Sequence, residues 1–281
     1  MRKIVKLVGS GLFVALFALL LPTLAVSAVE YEDVPVSMEY SVSRSVDYGR
    51  LVGDTTYFHI RPFSDANGAV EVEWDAKTAT ARVFCPKLTV EATVGQPYIV
   101  ANGRVLYTGR ENFTDNGKLY VPARSICKAF GFELIWNEET RSVHVNNYGV
   151  PIEDAESYYD ENDLYWLSRI ISCEAGGTEP LLGQIAVGNV VLNRVEDESS
   201  PDTVYDVIFD KRFGVQFTPA YTPSIYKEPY EISVIAAKIC LEGYSVSEDA
   251  LFFYAPKYVY AAWIEDNREY LFTIGGHKFF A

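Results

Sequence analysis

Basic residues are scarce in this chain: 24 Lys and Arg stand against 38 Asp and Glu, a formal charge of -14 at pH 7. Gripping a phosphate backbone takes a surplus of Lys and Arg on one surface. Nucleic acid and anionic membrane surfaces are therefore disfavoured as partners, and a neutral or mixed-charge polymer fits better. Histidine is scarcer still, with only His59, His144 and His277. Without a CxxC pair or a histidine-rich cluster there is no sequence signature of zinc, and neither metal nor cofactor is expected. The four cysteines, Cys85, Cys127, Cys173 and Cys240, fall two in each half. That spacing leaves open a disulfide in each half or four free thiols. Aromatic residues are plentiful by contrast: 20 Tyr, 16 Phe and 4 Trp fill cores and offer faces that stack on sugar rings.

The first 28 residues read as an export signal, with Arg2, Lys3 and Lys6, an apolar run, and Val26, Ser27 and Ala28 before a cut after Ala28. No cysteine lies near that cut to carry a lipid. Removing residues 1–28 takes away three basic and no acidic residues, leaving 21 minus 38, or -17. About 250 exported residues exceed what one small core needs, so two domains are expected.

Residues 29–50 have weak periodicity and read as a leader. Residues 51–146 hold an internal repeat. Trp74, Asp75, Thr78 and Val83 return as Trp136, Asn137, Thr140 and Val145, at a constant offset of 62 (136 minus 74). Each unit predicts a strand, a short helix and a hairpin, with Asp or Asn opening the WDAKT and WNEET turns. ARSICKAFG predicts a helix that presents Ile126, Ala129 and Phe130 on one face and ends at Gly131. This region resembles the copper amine oxidase N-terminal-like, or stalk, module, chiefly through YVPARSICKAFGFELIWNEETRSVHV. That resemblance implies a small β-rich fold. His59 and His144 fall in strands of different units and are expected to face solvent, with no copper site. An acidic connection over about 146–162 precedes a second domain spanning 163–281.

In the second half, Leu164, Leu167 and Ile171 recur at spacings of three or four, and Glu174 continues their stripe just before Gly176 and Gly177 end the helix. Desolvation, the negative end of the helix dipole and a second carboxylate at Glu179 would each raise its pKa and keep a proton available near neutral pH. LLGQIAVGNVVLNRV predicts a central buried helix opened by Pro180, in which Gly183 and Gly188 admit a neighbouring helix. Asn189 and Asn193 share one face and need partners, most simply loop backbone. A Pro-rich aromatic loop, FDKRFGVQFTPAYTPSIY, a helix ending at Gly243, a strand ALFFYAP and a final strand TIGGHKFF follow. Gly275 and Gly276 permit a tight turn or close backbone approach.

Four ordered motifs, CEAGGTEPLLGQIAVGNVVLNRV, VQFTP, ALFFYAP and the closing TIGGHKFF, together with Trp263, make residues 163–281 resemble the SleB-type cell wall hydrolases, a family of spore-cortex and peptidoglycan lytic enzymes. The resemblance implies an α+β chain overall, with a mainly helical, lysozyme-like catalytic domain carrying a small sheet. It also implies lytic transglycosylase activity, in which one glutamate acts as acid and then base; Glu174 matches it. Glu179 follows by five positions where the family pattern has four, and Ala255 stands where members carry asparagine. Glu179, Gln216, Phe217, Tyr254, Trp263 and His277 are the candidates for gripping glycan, and no membrane contact is expected once the signal is removed. The implied setting is outside the cell, at the wall or spore envelope, and the family resemblance implies a link to germination. Rival readings are an N-acetylmuramoyl-L-alanine amidase and a non-catalytic wall-binding protein. A Cys173–His277 thiol pair is a further rival, but Cys173 sits about 100 degrees around the helix from Glu174, so both cannot face one cleft.

Overall fold

The computed structural model describes residues 30–38 and 48–281. The export signal expected at 1–28 lies outside the described residues. Among the described residues no helix is long and apolar enough to cross a membrane.

The first half is built from β1 (Glu32–Met38), β2 (Tyr48–Val52), β3 (Thr55–His59), α1 (Ile60–Ala66), β4 (Glu71–Asp75), β5 (Thr80–Cys85), β6 (Leu88–Thr93), β7 (Tyr98–Ala101), β8 (Arg104–Tyr107), β9 (Phe113–Asp115), β10 (Lys118–Pro122), α2 (Ala123–Phe130), β11 (Glu133–Asn137) and β12 (Ser142–Asn146). The predicted repeat is present as β3-α1-β4-β5 and β10-α2-β11-β12. Its two hairpins share a register, Trp74 facing Ala81 and Trp136 facing Val143, and each opens on an Asx acceptor: Asp75 Oδ1 accepts the Lys77 amide two residues on and Asn137 Oδ1 the Thr140 amide three residues on, both at 2.9 Å. Each turn closes through a left-handed residue, Ala79 (φ 52°) and Arg141 (φ 47°), the same offset apart as the tryptophans. The strands form a seven-stranded sheet, β11-β12-β1-β2-β3-β10-β9, and a five-stranded meander, β4 to β8 in order. β1 and the start of β2 lie within the region read as a leader. β1 pairs parallel with β12 and antiparallel with β2, so it ties the second repeat to the rest of the sheet. His59 is half-buried, not solvent-facing as expected. Burial, then Lys118, Arg61 and Arg50, push its imidazole down to about 4.

The second half is mainly helical: α3 (Ala155–Tyr158), α4 (Glu161–Ala175), α5 (Leu181–Glu196), α6 (Val204–Ile208), two 3-10 turns (Thr218–Tyr221 and Pro223–Tyr226), α7 (Glu231–Leu241), β13 (Phe252–Tyr254), α8 (Ala262–Asn267), β14 (Tyr270–Ile274) and β15 (His277–Phe280). Asp160 caps α4 by accepting the Asp163 amide. α4, α5 and α7 pack around Leu167, Ile171, Ile185, Val190, Ala236 and Ile239, all fully buried. Gly188 permits this closeness, since a Cβ there would lie 2.7 Å from Cys240 Sγ and 2.8 Å from Ile171 Cδ1. Asn189 and Asn193 tie α5 to loop backbone, donating to Tyr244 O at 2.9 Å and to Ser247 O and Ala250 O at 2.8 and 2.9 Å. β13, β15 and β14 form a small antiparallel sheet in that order. All four cysteines are free thiols.

The halves meet where the β7–β8 hairpin packs on α7. Val105 enters the helical core, Tyr107 packs edge-on against Tyr244 at 4.5 Å, and Lys238 Nζ donates to Gly103 O at 2.8 Å.

Candidate active site

Glu174 lies in the last turn of α4, one turn beyond the fully buried Ile170 and Ile171. It is partly buried, and among the described residues its carboxylate makes no ion pair and no hydrogen bond. Burial pushes the carboxyl up to about 7. Of the three causes anticipated for this shift, desolvation is the one at work, and no charge contribution from Glu179 enters it. A carboxylic acid that keeps its proton near neutral pH and has no partner to satisfy can donate that proton to a bound oxygen.

Glu179 is turned elsewhere. Both of its oxygens accept the Gly276 amide, Oε1 at 3.1 Å and Oε2 at 3.0 Å. The β14–β15 turn must lack side chains to allow this. A Cβ on Gly275, whose φ is +55°, would lie 1.8 Å from Glu179 Oε2, and one on Gly276 would lie 2.8 Å from Oε1. The two glycines, expected to permit a tight turn or a close backbone approach, provide both: they form the β14–β15 turn, wrapped on a carboxylate. His277, the first residue of β15, is almost fully buried. Its Nδ1 has no hydrogen-bond partner and lies 3.7 Å from Glu179 Oε1.

Side chains alternate across a strand, so the small sheet sorts the remaining candidates onto two faces. Phe253 and Phe279 oppose each other and face α5, with His277 at 5.6 Å and Phe217 at 6.2 Å from the Phe253 ring. Phe217 is 2% exposed and belongs to the core. On the other face, Tyr254 donates its hydroxyl to Glu265 in α8, which also receives Lys278 Nζ at 2.8 Å. Trp263 packs on Phe252 on that side, its ring centroid 6.1 Å away, and remains 58% exposed.

Gln216 and Trp263 share the walls of a cavity of about 750 Å³ with Arg194, Phe252, Phe213 and Arg268. Glu174, Glu179, Tyr254 and His277 are not among its lining residues. Gln216 Oε1 accepts from Arg194 Nη1 at 3.3 Å. α4 and α5 pack antiparallel, with Asp160 and Trp166 beside Val195 and Glu196, and the 16 residues of α5 span about 24 Å. Glu174, Glu179 and His277 therefore gather at one end of α5, while Gln216 and Trp263 stand with Arg194 at the other. Arg194 and Arg268 escaped the sequence reading. The visible signal for Arg194 was a basic residue in the last turn of a largely apolar helix, where the dipole favours a cation. Cys173 does not have the character of an activated nucleophile, because burial raises its thiol.

Two families match the chain: the copper amine oxidase N-terminal domain over residues 48–145 and the cell wall hydrolase domain over 178–280. The latter match begins after Glu174. A spore cortex-lytic enzyme of Bacillus cereus is 36% identical over 121 residues, covering 43% of this chain and 45% of that protein. One from Oceanobacillus iheyensis is 34% identical over 131 residues, covering 47% and 46%. The chain thus spans less than half the length of these curated relatives. Among solved structures, the catalytic domain of Bacillus cereus SleB is 34% identical over 44% of this chain and 92% of its own, with a TM-score of 0.39. The catalytic domain of the germination-specific lytic transglycosylase SleB from Bacillus anthracis is 32% identical over 46% of this chain and 100% of its own, also at 0.39. The chain therefore carries a cell wall hydrolase domain behind a copper amine oxidase N-terminal domain.

Proposed function

We propose that this protein degrades peptidoglycan as a lytic transglycosylase, cutting the bond between N-acetylmuramic acid and N-acetylglucosamine with Glu174 as its acid and base. The observation that carries this reading is the partly buried, unpaired Glu174 carboxyl, pushed up to about 7 by burial. In the first step Glu174 protonates the glycosidic oxygen and the bond to muramic C1 breaks through an oxocarbenium-like state. The resulting carboxylate then takes the proton from the muramic 6-hydroxyl, whose oxygen bonds to C1. The products are a 1,6-anhydro-muramic end and a free 4-hydroxyl on the leaving sugar, and no water is consumed. That balance explains why one carboxylate suffices and why Glu179 can be committed to the Gly276 amide. Glu179 then serves by positioning the turn that carries His277. The matched cell wall hydrolase domain and the curated relatives named spore cortex-lytic enzymes support a wall polymer as substrate and a place at the wall or spore envelope.

The test is mass spectrometry of the soluble products from purified cortex and vegetative peptidoglycan, digested with the chain and with Glu174→Gln. Anhydro-muramic ends that vanish in the variant support the reading. Reducing ends would make the enzyme a hydrolase, free stem peptides an amidase, and the absence of products a binding protein.

A further inference from the structure

The cavity at the far end of α5 is lined by one more positive charge than negative. Three arginines line it, Arg194, Arg212 and Arg268, with two acids, Asp197 and Asp210. Asp210 is taken by Arg212, with Nε to Oδ1 at 3.1 Å. Asp197 accepts both the Ser199 amide, at 2.8 Å, and the Ser199 hydroxyl. Arg194 is largely buried; its Nε donates to Leu251 O at 2.7 Å and its Nη1 only weakly to Gln216. Arg268 is exposed and makes no hydrogen bond or ion pair among the described residues. Its guanidinium lies over Phe252, 4.3 Å from the ring centroid, and 5.3 Å from that of Trp263. Burial lowers Arg194 to about 10, Asp210 and Asp197 offset part of that and Arg268 adds to it, so the two guanidiniums feel one another as well as the acids beside them. Like charges brought together against aromatic walls cost free energy that a bound anion recovers.

The aromatic lining narrows the class of anion. Trp263 and Phe213 stay exposed at the cavity, Phe213 at 84%, and apolar rings held in water beside a cation suit a ligand that is part carboxylate and part uncharged chain or ring. Peptide stems on wall glycan have this character, whereas the glycan backbone between them is uncharged. We infer that the Arg194–Arg268–Trp263 cavity is a second substrate subsite that takes a carboxylate of a peptide stem, at the opposite end of α5 from Glu174. This rests on peptidoglycan being the substrate, but not on which bond is cut. A strand bound at both ends of α5 would be anchored by its stem about 24 Å from the bond at Glu174, so the enzyme would select stretches of wall by their peptides.

The test is calorimetric binding of the whole chain to a tetrasaccharide bearing tetrapeptide stems, to the same compound with its carboxylates amidated, and to the peptide-free tetrasaccharide with its lactyl carboxylates amidated, which is expected to bind no tighter than the amidated stem compound. All three are measured with Glu174→Gln present, so that no probe is consumed. The free-acid probe is expected to bind about tenfold tighter than the amidated one. Arg268→Ala removes that preference, and Arg268→Lys, which keeps the charge, retains part of it. Because Arg268 is exposed, its variants fold. Equal affinity for free-acid and amidated probes, or a preference that survives Arg268→Ala, overturns the subsite. If no glycan-bearing probe binds while the isolated tetrapeptide does, the glycan reading fails and the carboxylate subsite stands.

Discussion

Arg104 in β8 and Glu242, the residue that caps α7, form a two-pronged ion pair across the junction of the halves, with Nε to Oε1 at 2.7 Å and Nη2 to Oε2 at 2.9 Å. Their side chains are 7% and 4% exposed. Tyr159 also donates to Glu242 Oε1, at 3.0 Å, and Lys128 to Oε2 at the same distance.

Removing one member of this pair strands the other. Glu242→Ala is expected to cost about 3–5 kcal/mol, while a double replacement by apolar residues, Arg104→Met with Glu242→Leu, lies much nearer neutral. Burial opposes ionisation of Glu242, but hydrogen bonds from Arg104 and Lys128 outweigh it and hold the carboxyl below its ordinary value of 4.5. Its contribution is therefore present above pH 4.5 and disappears as the pH falls through the lower folded value. Urea midpoints at pH 3 and pH 7 check both statements: the gap between wild type and Glu242→Gln should narrow at the acid end.

Glu174 has the opposite sign. Its folded value of about 7 is raised, so the fold favours the protonated acid, and stability declines as the pH rises from the ordinary carboxylate range through about 7. Glu174→Gln, which cannot ionise, should be more stable than wild type at pH 8 and close to it at pH 4. The same protonation predicts that lytic activity falls above about pH 7. Thermal melts and turbidity loss of wall suspensions across pH measure the two effects separately; a variant less stable at pH 8 would contradict the burial argument.

The turn around Glu179 offers a steric test. Gly275→Ala brings a Cβ to 1.8 Å from the carboxylate in a left-handed backbone, and a cost of roughly 1–3 kcal/mol follows from backbone strain, with the displaced hydrogen bond in addition. Glu179→Gln keeps an acceptor for the Gly276 amide and should retain much of the activity that Glu179→Ala loses. If Glu179 itself transferred protons, both variants would be equally inactive. Specific activity on peptidoglycan, set beside the denaturation midpoint, decides between these.

Gly188→Ala sets two effects against each other. Alanine improves helix propensity by about 1 kcal/mol, but its Cβ meets Cys240 Sγ and Ile171 Cδ1 at 2.7 and 2.8 Å, and overpacking a core costs about 1–3 kcal/mol. The clash should win by a small margin. A double variant Gly188→Ala with Cys240→Ala, which makes room, should recover part of the loss in chemical denaturation.

Much of the fold was legible because it is written in local pattern. The repeat showed in paired Trp and Asx residues, and those positions build the same hairpin twice. α5 showed as an apolar run, and Asn189 and Asn193 bind loop carbonyls as four-residue spacing suggested. The strand β1 was missed because its pairing with β12 comes from residues distant in sequence and leaves little periodic trace, whereas β2 pairs locally with β3 and only its start fell within the stretch read as a leader. The tight turn that Gly275 and Gly276 permit was legible, but the strand before it, β14, was not separated from the final strand, because a two-residue turn leaves no polar gap between the apolar runs.

By itself the sequence determined that the chain has a β-rich repeat followed by a helical half, and that Glu174 ends an apolar helical stripe; both follow from spacing along a helix or strand, which is local. Only the tertiary structure decided which candidates share a surface. It buried Phe217, turned Glu179 onto the Gly276 amide, and divided Gln216 and Trp263 from His277 by the length of α5. It also raised Arg194 and Arg268 from unremarked charges to the walls of one cavity. Such relations depend on how helices cross and which way a strand's alternate residues point, and these are settled by packing among segments far apart in the chain.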